Sequence, residues 1–441
     1  MRKNKKFLSA LILVVLISLI FIQQYKSTSY LNKIVTGVSN PGRILIYEWN
    51  GNDFSRAVIN VGYRFVWSVR IGDIYNDGKN VIVVGVGNGF FDEPYGCLVV
   101  AYSLEDKEWK KSIIDDVGDV RCKDLTVGDA DNDGKNELVL GTHGEGIIRM
   151  YKWNGNKWNK QDIERNWIEK VDKEMGTNHR VSRDQITYDA ILQTAVHIVK
   201  IGDADNDGKN EIIATMSSPL EYKGKDDIGF TRLYKWNGTE WEGKNISKTS
   251  VAQQRSVIVN DIDRDGKNEI IVGTAPHLLI MYKQYENEWK NFVINNETVE
   301  KNMKGLYFGD VYNNGNNMIV LATGVWQGLI YTIEWNKGEF VKNLVGNVSN
   351  VFEKYSVIKD IGHNSLEVQV KDIDADGKNE IIVAGESDTT FSSPSKNVSI
   401  SFGWEGTPYG FLLVYKKVGD KWTYKLLDSY SVLGMDVGIL P

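Results

Sequence analysis

Short β-branched runs alternate with tight polar clusters along this chain, a pattern that predicts strands joined by turns. One phrase, a nine-residue polar cluster between two apolar runs, recurs six times. It reads IGDIYNDGKNVIVVG from Ile71, VGDADNDGKNELVLG from Val127, IGDADNDGKNEIIAT from Ile201, VNDIDRDGKNEIIVG from Val259, FGDVYNNGNNMIVLA from Phe308 and VKDIDADGKNEIIVA from Val370. A second phrase fills the gaps: an apolar strand, a turn, then a strand opening on an aromatic. Examples are RILIYEWNGNDFSRAVI from Arg43, IIRMYKWNGNKWNKQDI from Ile147 and TRLYKWNGTEWEGKNI from Thr231, with related copies from Cys97, Leu278, Leu329 and Phe411. Asn-Gly between alternating strands suits a two-residue hairpin turn, which needs positive φ at both central positions.

Seven such hairpins stand against six polar clusters, and the chain ends explain the mismatch. Each cluster joins strands A and B and each second phrase supplies strands C and D, so one repeat is a four-stranded sheet. The first hairpin is preceded by KIVTGVSN from Lys33, a B-strand phrase. The last is followed by SVLGMDVGIL from Ser431, where Val437-Gly438-Ile439 aligns with Ile71-Gly72-Asp73. The expected fold is therefore all-β: a seven-bladed β-propeller over residues 31–441, closed by pairing of its N- and C-terminal strands. A linear array would leave a partial unit unpaired at each end.

Four of the clusters carry the full pattern D-x-D-x-D-G-x-x-E. They are Asp129, Asp131, Asp133, Gly134, Glu137; Asp203, Asp205, Asp207, Gly208, Glu211; Asp261, Asp263, Asp265, Gly266, Glu269; and Asp372, Asp374, Asp376, Gly377, Glu380. Carboxylates at alternate positions, a Gly at the sharp turn and a later acid suit a hard cation with oxygen ligands. The backbone carbonyl after each Gly, from Lys135, Lys209, Lys267 or Lys378, is a further expected ligand. Grouped carboxylates repel unless a cation neutralises them, so Ca²⁺ is expected at about four sites. Two clusters are degraded: Asp73, Tyr75, Asp77, Gly78, Val81 lacks two acids, and Asp310, Tyr312, Asn314, Gly315, Met318 keeps one.

At these residues the chain resembles the FG-GAP (VCBS-type) repeat family, which includes the propellers of integrin α-subunits. The likeness runs from residue 33 to 441; the FG-GAP phrase itself survives loosely, as Val127-Gly128-Asp129 and Gly141-Thr142. The resemblance implies a calcium-stabilised propeller used for adhesion or ligand binding.

Long departures from the repeat fall at 86–95, 165–197, 216–229 and 384–409, all on the face a propeller turns away from its acid loops. Aromatic and imidazole side chains there are candidate ligand contacts: Trp67, Phe90, Phe91, Tyr95, Trp167, His277, Trp326, Trp404 and Tyr409. Nine other tryptophans lie in the C–D hairpins and are expected to pack between blades.

The N-terminus differs from the rest. Arg2, Lys3, Lys5 and Lys6 precede an apolar run from Phe7 to Ile22, broken only by Ser9 and Ser18. At ~1.5 Å per residue a helix there reaches about 24 Å, short of a ~30 Å hydrocarbon core. Residues 1–30 are expected to be a hydrophobic signal-anchor helix or a cleaved signal peptide. That places the bulk on the extracellular side of the plasma membrane, anchored or secreted. Cys97 and Cys122 are free to pair or not on this reading.

With 42% hydrophobic and 25% charged residues, 42 Gly and 7 Pro, the composition is globular, and a net charge of −6 leaves no basic surplus for nucleic acid. The expected function is an extracellular binding or adhesion module for a glycan or surface protein. Alternatives are an exported polysaccharide lyase or hydrolase using His179, Arg180, Arg183, Asp184 and Tyr188, or a structural envelope component. No G-x-S-x-G or H-E-x-x-H motif occurs.

Overall fold

Strands follow the two phrases closely in the computed structural model, which describes residues 31–441 except 89–95, 166–194, 219–227, 250–253, 276–277, 287, 297–301, 325–327, 356–361 and 389–409. The chain opens with β1 (Asn32–Val38), β2 (Arg43–Trp49) and β3 (Phe54–Asn60). Next come β4 (Phe65–Gly72), β5 (Val81–Gly87), β6 (Cys97–Glu105) and β7 (Glu108–Gly118), then β8 (Arg121–Gly128), β9 (Glu137–His143), β10 (Ile148–Trp153) and β11 (Trp158–Glu164). They are followed by β12 (Ala195–Gly202), β13 (Glu211–Ser218), β14 (Ile228–Trp236) and β15 (Trp241–Thr249), and by β16 (Gln254–Asn260), β17 (Glu269–Thr274), β18 (Leu278–Tyr285) and β19 (Glu288–Asn296). The last groups are β20 (Asn302–Gly309), β21 (Met318–Gly324), β22 (Leu329–Asn336) and β23 (Glu339–Asn347), a short helix α1 (Val348–Tyr355), then β24 (Gly362–Lys371), β25 (Glu380–Asp388), β26 (Gly410–Val418), β27 (Lys421–Asp428) and β28 (Val432–Ile439).

Consecutive strands pair antiparallel as meanders, giving three four-stranded sheets and two eight-stranded ones. Each eight-stranded sheet is two meanders joined by a single residue pair, Ala195↔His143 in one and Gly324↔Asn364 in the other. The strand sequence-remote from all others in its sheet is β28, which pairs with β1 in the register Ile34↔Val437 and Val35↔Asp436. The leading strand of each meander lies beside the next: β4 against β8, then β12, β16, β20, β24 and β28, which returns to β4. The inner strands thus close on themselves, and the fold is propeller-like.

Burial explains the pattern along each sheet. The second strands lie between neighbours on both faces and are largely apolar, and VIVVGVG of β5 and MIVLATG of β21 are buried at every position. Outermost strands such as β3 and β11 are exposed along most of their length. No single core forms; apolar clusters fill the gaps between successive sheets. One joins Val83 and Val99 to Leu125 and Leu140, and another joins Ile34 and Leu45 to Ile382 and Leu412. Cys97 of β6 and Cys122 of β8 form a disulfide, Cα–Cα 5.1 Å, across one such gap. Helix α1 was not anticipated by the strand pattern; it buries Val348 and Val351 against the cluster between β20–β23 and β24–β27. Among the described residues no helix is long and apolar enough to cross a membrane, and residues 1–30, with their expected helix, lie outside those described.

Candidate functional site

The acid loops all leave the C-terminal ends of inner strands, so they share one rim. Their turns are built by the first Asp. Asp129 accepts the N–H of Asp133 (3.0 Å) and of Gly134 (2.9 Å), and Asp133 accepts the N–H of Lys135 (3.0 Å). The same bonds recur at Asp203 and at Asp261, where Lys209 and Lys267 donate to Asp207 and Asp265. In the fourth loop Gly377 donates to Asp372 and Lys378 to Asp376. Position six needs a left-handed backbone, φ 84° at Gly134, which is why glycine stands there.

The degraded loops make the same turn. Asp73 accepts from Asp77 and Gly78, and Asp310 from Asn314 and Gly315. The extra acids of the four full loops therefore are not needed to form the turn. In the degraded loops an aromatic replaces the second acid: Tyr75 packs on Trp153 (5.2 Å) and Trp158 (5.5 Å), and Tyr312 on Trp422 (6.2 Å).

The donor set of the full loops suits an oxygen-coordinated cation. Carboxylate oxygens of Asp129, Asp131 and Glu137 lie within 4.8 Å of one another, as do those of Asp203, Asp205 and Glu211, of Asp261, Asp263 and Asp265, and of Asp372, Asp374 and Glu380. Each closing Glu is fully or almost fully buried and spends one oxygen on a backbone N–H, that of Ala130, Ala204, Ile262 or Ile373. The other oxygen of Glu137, Glu211, Glu269 and Glu380 faces only a lysine ammonium at 3.0–3.8 Å, and Oδ1 of Asp131, Asp205 and Asp263 has no hydrogen-bond partner. Buried acceptors without donors are costly and suit a cation ligand. Burial, reinforced by the neighbouring Asp131, Asp205 or Asp374, pushes Glu137, Glu211 and Glu380 up to about 7.

A lysine from the third strand of the same sheet enters each full loop. Lys152 Nζ lies 2.5 Å from Asp131, 2.7 Å from Asp133 and 3.4 Å from Glu137. Lys235 meets Asp205 (2.7 Å), Asp207 and Glu211 (3.8 Å). Lys283 meets Asp263, Asp265 and Glu269 at 2.5, 2.7 and 3.0 Å, and Lys416 meets Asp374, Asp376 (2.9 Å) and Glu380 (3.2 Å). The corresponding residue beside the degraded loops is Ser103 or Glu334, placed by the register Ile82↔Tyr102 and Ile319↔Ile333. Lysine thus accompanies the full acid set and only that set.

Asparagines clasp four of the five successive loop pairs, and Arg264 donates to Asn317 O at the other. Asn136 donates its side chain to Asp73 O (3.0 Å) and its N–H to Asn76 Oδ1 (2.7 Å), while Asn76 donates to Asn136 O. Asn210 repeats this with Asp129 and Asn132, and Asn268 with Asp203 and Asn206. Neither lysines nor asparagines were singled out from the sequence, although YK in the hairpin phrase and N before the closing acid are visible signals.

Of the candidate ligand contacts, only Trp67 is described, and it is 5% exposed. It stacks on Phe65 (4.6 Å) under the Arg121 guanidinium (3.7 Å), so it is a packing residue. Phe90, Phe91, Tyr95, Trp167, His277, Trp326, Trp404 and Tyr409 lie outside the described residues, as do His179, Arg180, Arg183, Asp184 and Tyr188. The hairpin tryptophans lie against the clusters between sheets, as Trp109, Trp158, Trp241, Trp289 and Trp422 do, and some also pair across their own hairpin, Trp153 with Trp158 (5.1 Å) and Trp236 with Trp241 (5.4 Å).

Repeated acid loops on a closed set of antiparallel sheets define an FG-GAP-type repeat protein with a propeller-like fold. Residues 55–175 match the family described as integrin-alpha FG-GAP repeat-containing protein 2. The KICSTOR complex protein ITFG2 of Bos taurus is 28% identical over 133 residues, 28% of this chain and 24% of that protein, so the match spans about a quarter of the relative's length. Solved structures of similar fold include a protein from Lactobacillus plantarum (TM-score 0.55, 8% identity, 92% of this chain and 99% of that one). A putative 6-phosphogluconolactonase from Bacteroides fragilis also resembles it (TM-score 0.54, 11% identity, 93% and 98%). At such identities the likeness is one of fold alone.

The expected location on the extracellular side of the plasma membrane, anchored or secreted, is corrected by these findings. The curated relative is a KICSTOR complex protein, and no described helix is long and apolar enough to cross a membrane. That expectation rested on one apolar run whose helix, at about 24 Å, falls short of a ~30 Å hydrocarbon core.

Proposed function

We propose that this protein is a seven-bladed propeller over residues 31–441, held at one rim by about four Ca²⁺ ions, that serves as a protein-binding subunit of a larger assembly. The blade count is supported by the grouping of β28 with β1–β3 and of each later set of four strands, and by the closed run of inner strands. The observation that carries the calcium reading is the repeated loop whose carboxylates face inward together, with Oδ1 of Asp131, Asp205 and Asp263 accepting no hydrogen bond. Asp129, Asp131 and Glu137, with their counterparts in the other three loops, would hold the ion, and Lys135, Lys209, Lys267 and Lys378 would offer carbonyls. The ion would neutralise the acids and cross-link the loop. The lysine ammonium would then stand beside the metal or give way to it. A protein partner is supported by the likeness to a KICSTOR complex protein.

At a tenfold excess over its dissociation constant each ion adds about 1.4 kcal/mol. Removal of calcium with a chelator is therefore expected to lower the melting midpoint of the full chain, and re-addition to restore it. An unchanged midpoint contradicts the metal reading. Affinity isolation from the native cells, with light cross-linking, is expected to return one stoichiometric protein partner. Recovery of the lone chain contradicts the subunit reading.

A further inference from the structure

Every inner strand carries a one-residue bulge at the same height. The ladder skips Trp67 in β4, Lys123 in β8, His197 in β12, Arg255 in β16, Lys304 in β20, Leu366 in β24 and Leu433 in β28. A bulge re-aims its extra residue, and such devices gather where a site is built. Here four successive bulges, on strands that lie side by side, present Lys, His, Arg and Lys. Arg121, held over Trp67 at 3.7 Å, and His143, whose Nε2 is 3.2 Å from His197 Nδ1, add to the same group. His197 is buried and its other nitrogen meets Ser217 Oγ at 2.8 Å; Lys123, Arg255, Lys304, Arg121 and His143 are half-buried.

These groups feel one another. Burial, with Arg121, Arg255 and Lys304 adding to it, holds the Lys123 ammonium well below its usual range; burial and the same cations depress His143 and His197. The acid nearest in sequence, Asp124, is engaged elsewhere: Oδ1 accepts from Arg70 (2.5 Å) and Oδ2 from the Val199 N–H (3.0 Å). One layer further along the inner strands the charges are mixed, with Arg70 and Lys200 among Asp124, Glu367 and Asp436. The bulge layer is therefore rich in basic side chains. It lies six residues before Asp129, roughly 20 Å from the acid loops at ~3.3 Å per residue.

We propose that Lys123, Arg255 and Lys304, with Arg121 and backed by the His143–His197 pair, form a binding site for a phosphate-type oxyanion at the end of the inner-strand ring opposite the acid loops. Ammonium and guanidinium donors in a half-buried setting, beside the imidazole pair, match the several acceptor oxygens of such a group. The inference is independent of calcium and of the protein partner.

The test is calorimetric titration of the full chain with inorganic phosphate, against acetate and against chloride at equal ionic strength. Phosphate is expected to bind at one site per chain and to move the His143 and His197 NMR signals. Lys123→Met and Arg255→Met are each expected to weaken it about tenfold or more, one lost charge-assisted hydrogen bond, while Arg255→Lys retains binding. Without phosphate, Lys123→Met should melt no lower than the parent, because it relieves like-charge crowding. Absence of phosphate binding, equal affinity for acetate, or undiminished binding in both Met variants overturns the proposal.

Discussion

Lys283 is the most enclosed of the four loop ammonium groups, with a side chain 10% exposed among Asp263, Asp265 and Glu269. Without metal it is the donor that meets the second oxygen of buried Glu269, at 3.0 Å. Lys283→Met should therefore cost about 1.5–3 kcal/mol in chelator, the range for hydrogen bonds to charged groups. Saturating calcium should shrink that loss; denaturant melts in both conditions check it, and an equal loss in each would refute the counter-charge role. Glu367, inside the inner-strand ring near Arg70, Asp124, Lys200 and Asp436, supplies a pH dependence. Burial raises its carboxyl from 4.5 to about 7, with the nearby cations opposing the shift. Between those values the folded chain keeps a proton that the unfolded chain has lost, so through this group stability falls as pH rises across that window. Glu367→Gln, which mimics the protonated form, should gain on the parent between about pH 5 and pH 8 in melting midpoint. A gap that stays constant contradicts the assignment.

At the scale of elements the loops act as links in a chain, since each asparagine clasp ties a loop to the one before it. Asn210→Ala removes its side-chain bond to Asp129 O and leaves its own N–H bond to Asn132 intact. The expected cost is about 1 kcal/mol, with faster amide exchange in both joined loops; faster exchange in one loop alone would argue against coupling. The acid loops and hairpins were legible in the sequence because period-two strands and D-x-D-x-D-G turns are local features. The lysines were not, because whether Lys152 reaches Asp131 depends on the register that sets Tyr151 opposite Leu138. The hairpin tryptophans do pack between sheets as expected, Trp158, Trp241, Trp289 and Trp422 each lying against an inter-sheet cluster; what the phrases do not convey is that Trp153 and Trp158 also face each other directly across one turn. Tyr75 and Tyr312 do reach the next sheet, and they do so where an acid is missing.

For the molecule as a whole, the decisive contact is the one between its ends. The pairing of the phrases at Lys33 and Ser431 was readable because a leftover strand at each end has one complementary partner, and β1 and β28 do pair. What the phrases do not convey is how closely β28 must approach β4. A Cβ added at Gly434 would stand 2.9 Å from both the Ser68 Cα and the Val69 nitrogen, backbone atoms that cannot turn aside as a side chain can. Gly434→Ala must therefore push β28 off β4 or bend both, at a cost of about 1–3 kcal/mol. If closure is what makes the sheets one cooperative body, the strain falls on the seam, and amide exchange should quicken first in β28 and β1 and in β4 across the gap, while β16 and β17, on other sheets, keep their protection. Uniform acceleration throughout the chain would mean that the seam has no special role; no change in stability would mean that β28 does not lie against β4 at all.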